Sequence, residues 1–203
     1  QADGTGWMAY YSLAMLVVAA TLAERNHVYD DMVVKYLEQF VLVMDALEAS
    51  GAFDPEDGFF YDRIVDAQGD VRSIEVQTLV GVIPALPAVS IAADQSGRFQ
   101  RLRKLVARRL EHEERQPATW RIRTTTDGGR RVLVSLVSPD QLARIFAALF
   151  DEGAFLSPHG LRSLSKRHSV PYELPGVPGA VIDYEPAESR TSMYGGNSNW
   201  RGP

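Results

Sequence analysis

Residues Met193 to Pro203 read MYGGNSNWRGP. Two glycines permit a tight turn, two asparagines and a serine offer hydrogen bonds, and an indole and a guanidinium stand side by side before a proline. Such a set reads as a recognition loop: Trp200 has a flat apolar face to stack on a sugar ring, Arg201 and Asn199 carry donors that read hydroxyls, and Pro203 suits the first position of a helix. A glycine-rich turn anchored to the core by one Trp would use the same residues, and composition alone does not separate the two readings. Other chemistries are poorly served. The chain has no Cys, and His27, His112, His159 and His168 are scattered singly, so disulfides, thiolate sites and a helical zinc pair are excluded. The acidic stretch DPEDG lacks the spacing and terminal Glu of a calcium loop, and neither a metal nor a cofactor is expected.

The longer run YEPAESRTSMYGGNSNWRGP, residues 184 to 203, resembles the signature loop of glycoside hydrolase family 63, especially its bacterial members. Stretches in the same order resemble the same family: QADGTGWMAYY at 1 to 11, DPEDGFFYD at 54 to 62, LVGVIPAL at 79 to 86 and FLSPHGLRSLSKRH at 155 to 168. The resemblance implies a mainly α fold, a partial (α/α)6 toroid of the six-hairpin glycosidase type with short β-hairpin insertions. It also implies hydrolysis of α-linked glucosides or mannosides with inversion, with an oligosaccharide or small glycoside as substrate. A trehalase-like glycosidase of the same architecture is a further possibility. A non-enzymatic carbohydrate-binding or helical scaffold module would keep the aromatic loop and lack the carboxylates.

Inverting hydrolysis needs a carboxylic acid and a carboxylate roughly 6.5 to 9.5 Å apart. Asp3, Asp57, Asp62, Glu75, Asp183, Glu185 and Glu188 all fall in loops or near helix ends, but no two are distinguished by spacing. The resemblance places the general acid in a motif before the DGTG-like stretch and the general base in a segment after the WRGP-like stretch. No catalytic residue is therefore assigned. Asp3, Trp7, Asn197, Asn199, Trp200 and Arg201 are expected to line the sugar pocket, with Tyr10, Tyr61 and Asp62 behind them. A Trp at the start of a buried helix is more commonly core, and that reading of Trp7 stands beside the first.

The chain has 203 residues, 45% of them hydrophobic, which suits one core; residues 1–203 are expected to form a single-domain fragment of a catalytic domain. A net charge of −5 argues against a nucleic-acid partner. Residue 1 is Gln rather than Met, so an internal fragment is expected and a missing signal peptide carries no information; a cytoplasmic location is the expectation.

The elements that would carry the loops follow from hydrophobic periodicity. Trp7 to Ala23 has only Ser12 and Thr21 as polar breaks. It lies at the short end of the roughly 17 to 25 residues of a membrane span and no second such run follows, so a buried helix is expected and no membrane partner. Val28 to Glu48 is amphipathic, with Val33, Leu37, Phe40, Met44 and Leu47 on one stripe. Thr78 to Ala93 reads as a second apolar helix, kinked or interrupted by Pro84 and Pro87, and Phe99 to His112 as a second amphipathic one. That alternation is what inner and outer helices of a two-layered ring should show. Gly51 to Val76 predicts a short strand or two, and Thr119 to Thr126 with Arg130 to Val137 a hairpin around Asp127 and Gly128. Ser138, Pro139 and Gln141 predict the start of a helix with Leu142, Ile145, Phe146 and Leu149 buried, ending near Gly153. Pro171 to Gly179 is expected to be loop.

Overall fold

The computed structural model describes residues 2–66, 68–92, 122–124 and 131–185. Its described residues combine helices with several small antiparallel strand pairs, and no α/α toroid is evident among them, which corrects the expectation of a mainly α toroid. Among the described residues there are three α-helices, α1 (Ala2–Ala23), α2 (Asp30–Ser50) and α3 (Pro139–Leu149), with three 3-10 turns and eleven short strands. Contacts divide the chain into two compact units, one of Gln1–Asp3, Gly51–Ile83 and Pro139–Pro203, the other of Gly4–Ser50 and Pro84–Ser138.

The correction starts at Thr78 to Ala93. Its apolar run suits a buried helix, but Pro84 and Pro87 each lack the N–H that an α-helical ladder needs, and Pro87 drives Leu86 toward extended backbone. The segment therefore tightens into a 3-10 turn, Leu79–Ala85, and then becomes strand β5 (Ala88–Ala92). Strand β7 (Arg131–Ser135) pairs antiparallel with both β5 and β6 (Ile122–Thr124), in the order β5-β7-β6. The β6–β7 pairing agrees with the expected hairpin. The helix expected over Phe99 to His112 lies outside the described residues.

In the unit that holds α1 and α2, the amphipathic helix behaves as its pattern demands. Val33, Leu37, Phe40, Met44 and Leu47 are all buried, and Asp30 and Asp31 sit in the first turn, where the partial positive charge of the helix terminus favours carboxylates. α1 does not become the all-round buried helix expected of it. One stripe, Ala9, Leu13, Leu16, Ala19 and Ala23, is buried; Trp7, Met8, Tyr11, Val18 and Leu22 stay open. Ser12 lies on the buried side because its Oγ donates to the Met8 carbonyl at 2.8 Å, which removes the penalty of a stranded hydroxyl. Gly4–Ala23 is long and apolar enough to cross a membrane, yet 39% of its most apolar 18-residue window is buried within protein.

The other unit is a set of small hairpins around an aromatic core. β1 (Phe53–Asp54) pairs with β2 (Phe59–Phe60), and β3 (Asp62–Val65) with β4 (Val71–Ile74), which realises the strands expected over 51 to 76. β8 (Leu156–Ser157) pairs with β9 (Gly160–Leu161). β10 (Tyr172–Glu173) pairs with β11 (Val181–Ile182), so the expected loop over 171 to 179 is a hairpin and its tip. Fully buried Phe59 stacks on fully buried Phe155 with ring centroids 5.6 Å apart. α3 adds Ile145, Ala148 and Leu149 to this core; Phe146, expected on the buried face, is 43% exposed.

Candidate functional site

The stretch DPEDGFFYD folds into the β1–β2 hairpin and its exit. Asp54 Oδ1 accepts from the backbone N–H groups of Glu56 and Asp57 at 2.7 and 2.9 Å, and Gly58 closes the turn at φ 69°, a left-handed conformation that glycine adopts without strain. From α3, the Arg144 guanidinium donates to the carbonyls of Pro55 and Glu56 and clamps the turn from outside. A fixed turn fixes Asp57. Its Oδ2 accepts from the Tyr61 hydroxyl at 2.6 Å, while Gln77 Nε2 donates to the same hydroxyl at 3.1 Å. Burial, helped by the hydrogen bond to the Asp57 carboxylate, raises the Tyr61 pKa well above its ordinary value, so its proton stays on oxygen and points at Asp57.

Gln77 then links two distant segments. Its N–H donates to His168 Nε2 at 2.9 Å, and its carbonyl accepts from Ser165 N at 2.9 Å. An imidazole that accepts a backbone N–H at Nε2 carries its proton on Nδ1, and burial lowers its pKa, so His168 is neutral. Gln77 Oε1 is buried with no hydrogen-bond partner among the described residues, an acceptor that a hydroxyl would satisfy. The His168 carbonyl accepts from Tyr184 N at 2.8 Å. Buried Arg162 holds the same residue, donating from Nε to the Tyr184 hydroxyl at 3.1 Å, with its guanidinium carbon 5.9 Å from the ring centroid. Tyr184 is the first residue of YEPAESRTSMYGGNSNWRGP. A chain of hydrogen-bonded residues therefore runs from the DPEDG turn through Tyr61, Gln77 and His168 to Tyr184.

Of the pocket residues expected from sequence, Asn197, Asn199, Trp200 and Arg201 lie outside the described residues, as does the side chain of Asp3, whose backbone belongs to α1. Trp7 lies in α1, 41% exposed, in an aromatic cluster with Tyr10 at 5.8 Å and Tyr11 at 6.4 Å. Tyr61 is buried, and Asp62 opens β3, opposite Ile74. Gln77, Arg162 and His168 were not singled out by sequence reasoning. Among the described residues no group of three His, Asp or Glu side chains is placed to hold a metal. A cavity of about 350 Å³ lies on the β10–β11 tip, lined by Glu173, Leu174, Pro175, Gly176 and Val177 among others.

No family model matches the chain, and no solved structure matches it. It is 37% identical over 227 aligned positions to "Uncharacterized protein YMR196W" of Saccharomyces cerevisiae strain S288c, a match that takes in 100% of this chain and 20% of that protein. The chain thus spans about a fifth of the length of this curated relative.

Proposed function

We propose that this chain is part of an inverting glycoside hydrolase acting on α-linked glucosides or mannosides, to which it contributes loops that line the sugar pocket. In such a reaction an acid protonates the leaving glycosidic oxygen while a carboxylate on the opposite face of the ring deprotonates the attacking water. Both carboxylates are supplied from outside these residues. Trp200 stacks on the sugar, and Asn197, Asn199 and Arg201 donate to its hydroxyls. The observation that carries the proposal is the hydrogen-bonded chain Asp57, Tyr61, Gln77, His168, Tyr184, because it ties together two stretches that resemble the same enzyme family. Buried polar chains of this kind fix the geometry of the loops they join.

The test compares release of aryl alcohol from aryl α-glucosides and α-mannosides by the 203-residue chain and by the longer polypeptide that contains it. The longer polypeptide should turn over at least one of them, and Trp200→Ala should raise its KM by tenfold or more. The 203 residues alone should show no turnover above background. Turnover by the short chain within tenfold of the longer one would place the acid and base inside it. Absence of turnover by the longer polypeptide on every substrate would leave a sugar-binding module in place of an enzyme.

A further inference from the structure

α1 carries two apolar stripes. Ala9, Leu13, Leu16, Ala19 and Ala23 recur at spacings of three and four and are buried to 4% exposure or less. On the other side of the helix Trp7, Tyr11, Met15, Val18 and Leu22 recur at the same spacings and are 41, 61, 39, 50 and 40% exposed. No charged residue occurs between Gly4 and Ala23 to solvate either stripe. Together the open side chains present apolar surface on the order of several hundred Å², at or above what a soluble monomer leaves exposed without a use for it.

We propose that this open stripe is a packing seam for an uncharged, apolar helix from another part of the same polypeptide, seated against Trp7, Tyr11, Met15, Val18 and Leu22. The occupant follows from three observations. The stripe extends over four turns in a straight row, which is the footprint of a helix laid along it. The absence of charge asks for an apolar partner face and leaves no ion pairs to recognise an independent protein. The 203 residues correspond to 20% of the length of the yeast relative, so a related polypeptide has ample chain to supply the helix. A lipid surface is disfavoured because the opposite stripe is already occupied by protein. The seam is independent of any sugar chemistry.

The chain has no Cys, so single thiols report cleanly. Tyr11→Cys and Val18→Cys are made in the longer polypeptide and in the 203-residue chain, and maleimide reaction rates are compared with those in urea. Val18→Cys is conservative in volume and guards against loss of folding at Tyr11→Cys. In the longer polypeptide both thiols should react at least tenfold more slowly than when unfolded, with the protection unchanged on dilution. In the 203-residue chain they should react within threefold of the unfolded rate. Fast reaction in the folded longer polypeptide overturns the proposal. So does protection that disappears on dilution, which assigns the stripe to a second copy, or protection that appears only with phosphatidylcholine vesicles, which assigns it to a membrane.

Discussion

α1 and α2 have nearly the same length, 22 and 21 residues, and from Gly4 on both belong to one compact unit, yet they use their apolar residues differently. α2 concentrates them on one stripe and buries that stripe whole, leaving charged residues such as Lys35 and Glu48 toward solvent. α1 spreads them around the cylinder and buries one side only. A helix with contrast between its faces states where its core is. A helix without contrast states only that apolar neighbours exist somewhere, and it can satisfy half of them in one unit and keep half for another.

The comparison is broken most easily by mutation. Phe40→Ala in α2 removes a ring that is 3% exposed and should cost about 3 to 5 kcal/mol, read by urea unfolding of the 203-residue chain. Tyr11→Ala in α1 should cost no more than about 0.5 kcal/mol in that same chain. Similar losses at the two positions would mean that the α1 stripe is already covered. The hairpin unit supplies a case intermediate in size. A Cβ on Gly81 would meet the Phe59 ring and the Phe60 carbonyl, so Gly81→Ala should cost about 1 to 3 kcal/mol through overpacking, although the change adds one methyl group.

A smaller effect depends on pH. His168 accepts a backbone N–H while neutral, and its folded pKa lies below the ordinary value of 6.5 because it is buried. Below 6.5 the unfolded chain binds the proton more readily than the folded one, so this contribution is present above that value and is lost as pH falls from 6.5 through the folded pKa. Unfolding midpoints measured between pH 7 and pH 5 should fall more steeply for the native chain than for His168→Gln. Parallel curves would show that His168 does not take part. The smallest effect belongs to Arg72 and Asp66, an ion pair at 3.2 Å with the Arg side chain 56% exposed. Arg72→Ala should change stability by about 0 to 1 kcal/mol, less at high salt.

How much of this was legible in the sequence follows the same logic of contrast. The stripe of α2 and the helix start at Pro139 each give a local reason for the structure they adopt, and each agrees with the expectation. Thr78 to Ala93 is apolar enough for the interrupted helix expected of it, but the missing N–H groups of Pro84 and Pro87 leave only a 3-10 turn before a strand. Pro171 to Gly179 was read as loop from composition, but Tyr172 and Glu173 find partners in Ile182 and Val181. At the site, Tyr61 was visible as part of a motif. Gln77 lies in no such stretch and His168 only ends one, and because the two meet 91 positions apart no local pattern announces their contact.

The functional reading has one decisive measurement. Proton NMR can follow the anomeric signals of sugar released from an α-linked glucoside or mannoside by the longer polypeptide, in the first minutes before mutarotation. An inverting hydrolase of α-linkages releases the β-anomer first, and that is the expected result. First appearance of the α-anomer, or no sugar release from any α-linked substrate, would contradict it.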